Sequence, residues 1–381
     1  MAVLCLACAP KQEPLSLKMV RSEMARCPEA SMLDGLQGTL KWNYTTGLEL
    51  QAMLDAGVAY GERDIVDYVE AWYDAIIEPF GAIGGKYDKE KFNLDHVCPA
   101  RTLLSLMQLR PKPYFDEAAQ NIFAQLQEQP RTEAGAFWHK KVYPYQVWLD
   151  GLYMAEPFYA EYAAKTGKAE CWDDIARQFK VAWEKTYDPA TGLPRHAWDE
   201  SREMFWCDPE TGQSAHSWGR ATGWYAMALV EVLDVFPEDH PERESLLDIL
   251  QQLLTTLPRY ADPKTAMWYQ VLDAPGREGN YVEATCSAMF TYAYLKAERK
   301  GWLPEGTGIH PRTLYKRLVE AFIRVNEDGT IRLVDCCAVA GLGGKQMRSG
   351  TYDYYIHETI TENDPKGVGP FIWASLEYEK N

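Results

Sequence analysis

Trp218-Gly219-Arg220-Ala221-Thr222-Gly223 runs into the apolar stretch 224–233, and its counterpart Trp42-Asn43-Tyr44-Thr45-Thr46-Gly47 runs into 48–54. The two share Trp-x-x-x-Thr-Gly, and an alanine, Ala52 or Ala228, stands five residues beyond each glycine. Their separation of 176 residues is three units of about 59. Asp95, ahead of the apolar stretch 97–109, and Asp150, ahead of 152–164, fall between them at near one-unit steps. Segments 283–295 and 369–376 continue the series, the last interval stretched by an insertion. Six helix starts at the period of a helical hairpin predict a closed ring.

Second helical patterns lie between these starts, at 62–77, 115–126, 171–185, 241–257 and 312–321. They carry more charge and alternate with the apolar set, as outer helices would. The expected fold is therefore all-α, an (α/α)6 barrel, with inner helices apolar all round and their N-terminal ends gathered at one mouth. A single catalytic domain is expected over 31–381, after an N-terminal tail at 1–30. Strand-like pieces at 266–271 and 330–339 are expected to decorate loops.

The chain of 381 residues is 46% hydrophobic, 25% charged and 13% aromatic, with 13 Trp and 23 Tyr. Flat rings suit sugar faces, although packed inner helices also need bulk. A net charge of −16 argues against nucleic acid and against an anionic membrane surface. An acidic ligand must then be held by locally placed cations. The nine cysteines give no metal-ligand spacing beyond Cys5-Leu6-Ala7-Cys8. That pair lies in the short apolar segment 1–9, read as the remnant of a lipoprotein signal with Cys8 as the lipid-bearing residue. The expected location is the periplasm or the cell envelope, with the cytoplasm as the alternative. Gly341-Leu342-Gly343-Gly344-Lys345 lacks the spacing of a phosphate loop and is read as a turn.

One carboxylate stands in an otherwise apolar and aromatic stretch, Val147-Trp148-Leu149-Asp150-Gly151-Leu152-Tyr153-Met154. Burying an unpaired carboxylate costs several kcal/mol or shifts its pKa, so such a residue is usually kept for a task. The plainer reading is an N-cap, a position that favours Asp and does not prevent it from facing a pocket. His139, Lys140, His196, His216 and Arg220 converge, by the repeat, on the same rim. In so acidic a chain they would make a site for a carboxylate, which Arg220 could bind bidentately.

The segments Leu94-Asp95-His96, Gly135-Ala136-Phe137-Trp138-His139-Lys140, Trp148-Leu149-Asp150-Gly151-Leu152-Tyr153-Met154, Arg195-His196-Ala197-Trp198 and Trp218-Gly219-Arg220-Ala221-Thr222-Gly223-Trp224 together resemble the unsaturated rhamnogalacturonyl hydrolases of glycoside hydrolase family 105. Gly341-Leu342-Gly343-Gly344 and Asp364-Pro365-Lys366-Gly367-Val368-Gly369-Pro370 also fit, so the resemblance runs from about Trp42 to the C-terminus. It implies an (α/α)6 barrel that removes a 4,5-unsaturated uronic acid from the non-reducing end of lyase-generated oligosaccharides. Asp150 matches the aspartate that protonates C4 of the vinyl ether before water adds at C5, and Asp95 matches the second active-site carboxylate. Arg220, Lys140, His139 and His196 are then candidates to hold the uronate. Trp42, Trp218 and Trp224 would be stacking walls, with Asn43 and Tyr44 at the rim. No metal or organic cofactor is required. A helix N-terminus lowers the pKa of Asp150, whereas apolar surroundings and the like charge of Asp95 raise it; the expectation is that the rise prevails.

Three other functions use overlapping features. An inverting glycosidase on the same toroid would also need two carboxylates, with a water between them. A polysaccharide lyase would create the double bond that the first reading consumes. A glycan-binding module would keep the aromatics and have no need of Asp150. The adjoining sugar and the oligomeric state leave no sequence signal.

Overall fold

Two kinds of helix alternate through residues 13–380, the part of the chain described by the structure, a computed structural model. The outer kind comprises α1 (Leu15–Arg26), α3 (Arg63–Ile76), α5 (Pro113–Glu128), α7 (Trp172–Thr186), α9 (Arg243–Thr256) and α11 (Pro311–Phe322). The inner kind comprises α2 (Tyr44–Tyr60), α4 (Ala100–Leu109), α6 (Leu149–Thr166), α8 (Gly219–Val235), α10 (Ala284–Lys300) and α13 (Pro365–Glu379), with the single turn α12 (Tyr352–Ile356) in the loop before it. The sequence pattern explains the division. α3 buries one stripe, including Ile65, Val69, Trp72, Tyr73 and Ile76, and presents charge on its other face. In α8 every residue from Gly219 to Leu233 is buried, so that helix has no solvent side. Each inner helix packs on the next, and α13 returns to α2, which closes the ring.

The repeated Thr-Gly has a packing cause. A Cβ on Gly47 would lie 2.6 Å from Cα of Pro99, where the chain enters α4. A Cβ on Gly223 would lie 2.6 Å from Sδ of Met289 on α10. Glycine at these positions lets neighbouring inner helices approach at the mouth.

Two expected boundaries move. The segment 1–30 is not all tail, because α1 packs against α13 and α2 with Met19 and Val20 fully buried, and so supplies the sixth outer helix. Its amphipathic pattern is weak, which hid it. The last inner helix begins at Pro365 rather than near 369, and the Asp364 side chain caps it by accepting from the Lys366 N–H at 2.9 Å. The strand-like segment 330–339 forms two short antiparallel pairs, Ile323–Val325 with Ile331–Leu333 and Cys336–Cys337 with Ile360–Thr361. Segment 266–271 makes only isolated bridges. No helix among the described residues is long and apolar enough to cross a membrane. The segment carrying Cys8 lies outside the described residues.

Candidate active site

A short ladder delivers Asp150 to the mouth. Strand Gln146–Trp148 pairs antiparallel with Ala197–Asp199, setting Trp148 opposite Ala197, and the Leu149 N–H donates to the His196 carbonyl at 3.1 Å. Asp150 is thereby the second residue of α6. Trp148 occupies the N-cap and no side chain caps this helix, so the plainer alternative for Asp150, an N-cap, does not hold. The same ladder sets His196 Nε2 3.2 Å from Asp150 Oδ2. Neither atom has a well-aligned hydrogen-bond partner, so the contact acts through charge more than direction. His196 is completely buried, with Nδ1 2.7 Å from the Tyr355 hydroxyl.

Asp95 stands in the turn that opens α4, where Asn93 accepts from its N–H at 3.1 Å. The Leu94 N–H donates to the His139 carbonyl, and the His139 N–H to the Gln146 carbonyl, at 3.1 and 2.8 Å. These bonds lay His139 and Lys140 between the two acids. Lys140 Nζ is 2.5 Å from Asp95 Oδ2, and His139 Nε2 is 3.6 Å from Oδ1. The His139 ring stacks on Trp148 at 4.8 Å.

The electrostatics follow from these contacts. Burial pushes the Asp95 carboxyl up, but the Lys140 ammonium and His139 outweigh it and hold the group below the ordinary aspartate value. Burial likewise pushes Asp150 up, yet His196 and then His139 pull it net below its ordinary value. The expected elevation of Asp150 is thus corrected, because its histidine neighbours outweigh burial and Asp95 is not among its main influences. Burial pushes His139 down to about 4, leaving a neutral imidazole that senses both Asp95 and Asp150.

A cavity of about 340 Å³ opens beside Asp95, lined among others by Lys41, Asn43, Tyr44, His96 and Lys366. Asn43 and Tyr44 thus line this cavity, Asn43 with its Nδ2 3.3 Å from Asp34 Oδ2. Tyr44 feels Asp95, Arg220 and Asp150 at once, which ties these groups into one site.

The expected tryptophan walls are corrected. Trp42, Trp218 and Trp224 are each about 1% exposed. Trp42 donates to the His96 carbonyl at 2.7 Å and stacks on Trp72. Trp218 donates to Gln270 at 3.0 Å and stacks on Tyr355, and Trp224 packs on Tyr153. Buried this completely, these rings frame the site and offer no wall to a sugar. Arg220 is also about 1% exposed, lies over Trp218, and donates Nη1 to the Cys337 carbonyl at 2.5 Å. Its other N–H groups have no protein acceptor among the described residues. His216 belongs to a separate cluster, with Nδ1 3.0 Å from Asp273, which also pairs with Arg195. Sequence reasoning missed Lys41, Lys366 and Tyr355. Lys366 lay within a quoted motif, whereas Tyr355, 159 residues from His196, had no local signal.

An acid with an unpartnered oxygen, a second acid bound to lysine, and imidazoles between them make proton-transfer chemistry at the mouth of an α/α toroid. That is the layout of a carbohydrate-active hydrolase. The sequence profile of Glycosyl Hydrolase Family 88 matches residues 15–381. A family 105 glycoside hydrolase of C. acetobutylicum ATCC 824 is 40% identical and superposes with a TM-score of 0.92, over 97% of this chain and all (100%) of that one. The unsaturated rhamnogalacturonyl hydrolase YesR of Bacillus subtilis is 24% identical over 77% of this chain and 79% of its own length. The unsaturated glucuronyl hydrolase of Bacillus sp. GL1 shares the fold at a TM-score of 0.68 and 13% identity, over 96% and 95% of the two chains. The chain belongs to this group of glycoside hydrolases, families 88 and 105.

Proposed function

We propose that the enzyme removes a 4,5-unsaturated uronic acid from the non-reducing end of small acidic oligosaccharides left by polysaccharide lyases, by hydrating the double bond. The observation that carries this is the inequality of the two acids: Asp95 is committed to Lys140, whereas Asp150 keeps a buried oxygen without a hydrogen-bond partner. An inverting glycosidase needs two carboxyls in opposite protonation states flanking a water. Hydration of a vinyl ether needs one group that gives a proton and takes one back.

The proton moves from Asp150 to C4, and the ring oxygen stabilises the cation that develops at C5. Water adds at C5 and returns a proton to Asp150, so the carboxyl is reloaded each turnover. The hemiketal at C5 then opens and releases the adjoining sugar, with one water consumed. In the free enzyme the lowered pKa favours the ionised carboxyl. An arriving uronate brings negative charge beside it and shifts it toward the protonated form. The N–H groups of Arg220 that lack a protein acceptor, together with Lys140, supply the cations for that uronate.

The test is the ultraviolet absorbance of an unsaturated rhamnogalacturonan disaccharide. Wild type should remove it and Asp150→Asn should not; no change with wild type, alongside cleavage of a saturated glycan, would contradict the proposal. On the composition of segment 1–9 alone, we also propose an envelope tether through Cys8. Fatty-acid labelling of wild type but not Cys8→Ser is expected, and equal absence of label would remove the tether.

A further inference from the structure

Beside the first turns of α6, next to His139, is a small chamber of about 10 Å³. Its wall is apolar where Leu94, Phe137 and Leu152 meet, and polar at His139, Glu156 and Gln178. Gln178 is fully used: its Oε1 accepts from the Phe137 N–H at 2.8 Å, and its Nε2 donates to the Gly135 carbonyl and to Asp174. The other two polar groups are not. His139 Nδ1 and Glu156 Oε2 are both buried without a hydrogen-bond partner. Buried polar atoms are rarely left so, and each needs an explanation. Gly151 keeps this space open, since a Cβ there would stand 3.1 Å from His139 Nδ1.

A volume of this size admits one water, and two unpartnered polar groups on its wall are the minimum that would hold it. We infer that Glu156 fixes the tautomer of His139 through a single water held in this chamber, and so acts as a positioning residue for the active site. The inference rests on the proposed function only in taking the mouth between Asp95 and Asp150, where His139 lies, as the place of the chemistry.

The direction of the chain follows from protonation. Burial, reinforced by Asp174 on α7 and only partly offset by Arg131, holds the Glu156 carboxyl well above its ordinary value. It is a neutral acid with an O–H to donate. His139 is a neutral imidazole with one N–H and one lone pair. The carboxyl O–H of Glu156 donates to the water, and the water donates to Nδ1. The imidazole proton is then on Nε2, the nitrogen that faces Asp95 across 3.6 Å. At that distance Asp95 makes no hydrogen bond that could select the tautomer alone. The selection therefore comes from the Glu156 side and leaves Nε2–H as a donor toward the mouth. The opposite chain, Nδ1–H to water to the carbonyl of Glu156, would leave a bare Nε2 beside a carboxylate.

The test labels the histidines of the full-length enzyme with ¹⁵N and reads their ring nitrogens by long-range NMR, with His139 assigned by its loss in His139→Gln. Wild type should show a protonated Nε2 and a bare Nδ1. Glu156→Gln, whose amide N–H can donate to the same water, should keep that signature. Glu156→Leu should lose it, and should lower kcat on the unsaturated disaccharide by about 10-fold with KM within about twofold. A protonated Nδ1 in wild type would overturn the inference, as would an unchanged signature in Glu156→Leu or equal damage from Glu156→Gln and Glu156→Leu. A protonated Nδ1 in wild type, or loss of the signature in Glu156→Gln, overturns the inference even if the leucine variant fails to fold. A wild type that shows the expected tautomer but leaves the disaccharide intact supports this inference and contradicts the proposed function.

Discussion

Asp150, the proton carrier of the proposed mechanism, is held below its ordinary pKa by the histidines around it, with His196 the nearer. Replacing it by Asn leaves the shape but removes the proton, so kcat/KM should fall by about 10³-fold or more while the fold persists, as steady-state kinetics alongside a melting curve would show. The His196 contact has a signed consequence. It lowers the Asp150 pKa, so His196→Gln should raise it and extend the protonated form to higher pH. The high-pH limb of kcat/KM should move up by about 1 pH unit; a downward move would mean that burial of the histidine, rather than its contact, sets the limb. Asp150 was legible because one acid in an apolar run demands a reason. Its pKa direction was not, because the deciding neighbours come from 139 and 196 and only folding places them. The tryptophans were misplaced for a related reason: composition reports aromatic rings without saying which are buried in the packing.

At the scale of elements, the Trp-x-x-x-Thr-Gly repeat marks where one inner helix meets the next. Gly47 faces backbone at 2.6 Å, which cannot swing away, whereas Gly223 faces only the side chain of Met289, nearest at Sδ. Gly47→Ala should therefore cost about 1–3 kcal/mol by thermal or denaturant unfolding, and Gly223→Ala distinctly less. Equal costs would contradict this account of the motif. The alternation of apolar and amphipathic segments was legible because an inner helix has no solvent side and an outer one has a stripe. α1 was missed because it precedes the first repeat, and its place against α13 joins the two ends of the chain. The start of α13 was blurred by the long loop through residues 323–364, whose short strands carry little pattern.

At the scale of the molecule, the toroid has chemistry at one mouth and a charged floor at the other. Toward the C-terminal ends of α6 and α8, Arg101 from the first turn of α4 pairs with Glu231 of α8 and, at 2.7 Å, with Glu161 of α6. Lys296 of α10 lies 3.2 Å from Glu231 and 3.0 Å from Asp234. Despite burial, Arg101 and Lys296 hold Glu231 down to about 2, so its contribution to stability is present above the unfolded value of about 4.3 and is lost as pH falls toward 2. Arg101→Leu should destabilise the enzyme by about 3–5 kcal/mol, by leaving buried carboxylates uncompensated, and should raise the pH of acid unfolding. A variant as stable as wild type would mean that the floor network does not hold the ring. The central claim concerns the other mouth, where the bond is lost through hydration rather than by attack at the anomeric carbon. Its most direct test is an unsaturated disaccharide with sulfur in place of the glycosidic oxygen, followed by absorbance of the double bond. Wild type should consume it and Asp150→Asn should not, because proton delivery is to C4 and not to the bridging atom. A wild type that consumes the oxygen-linked disaccharide but spares the sulfur-linked one would contradict the account.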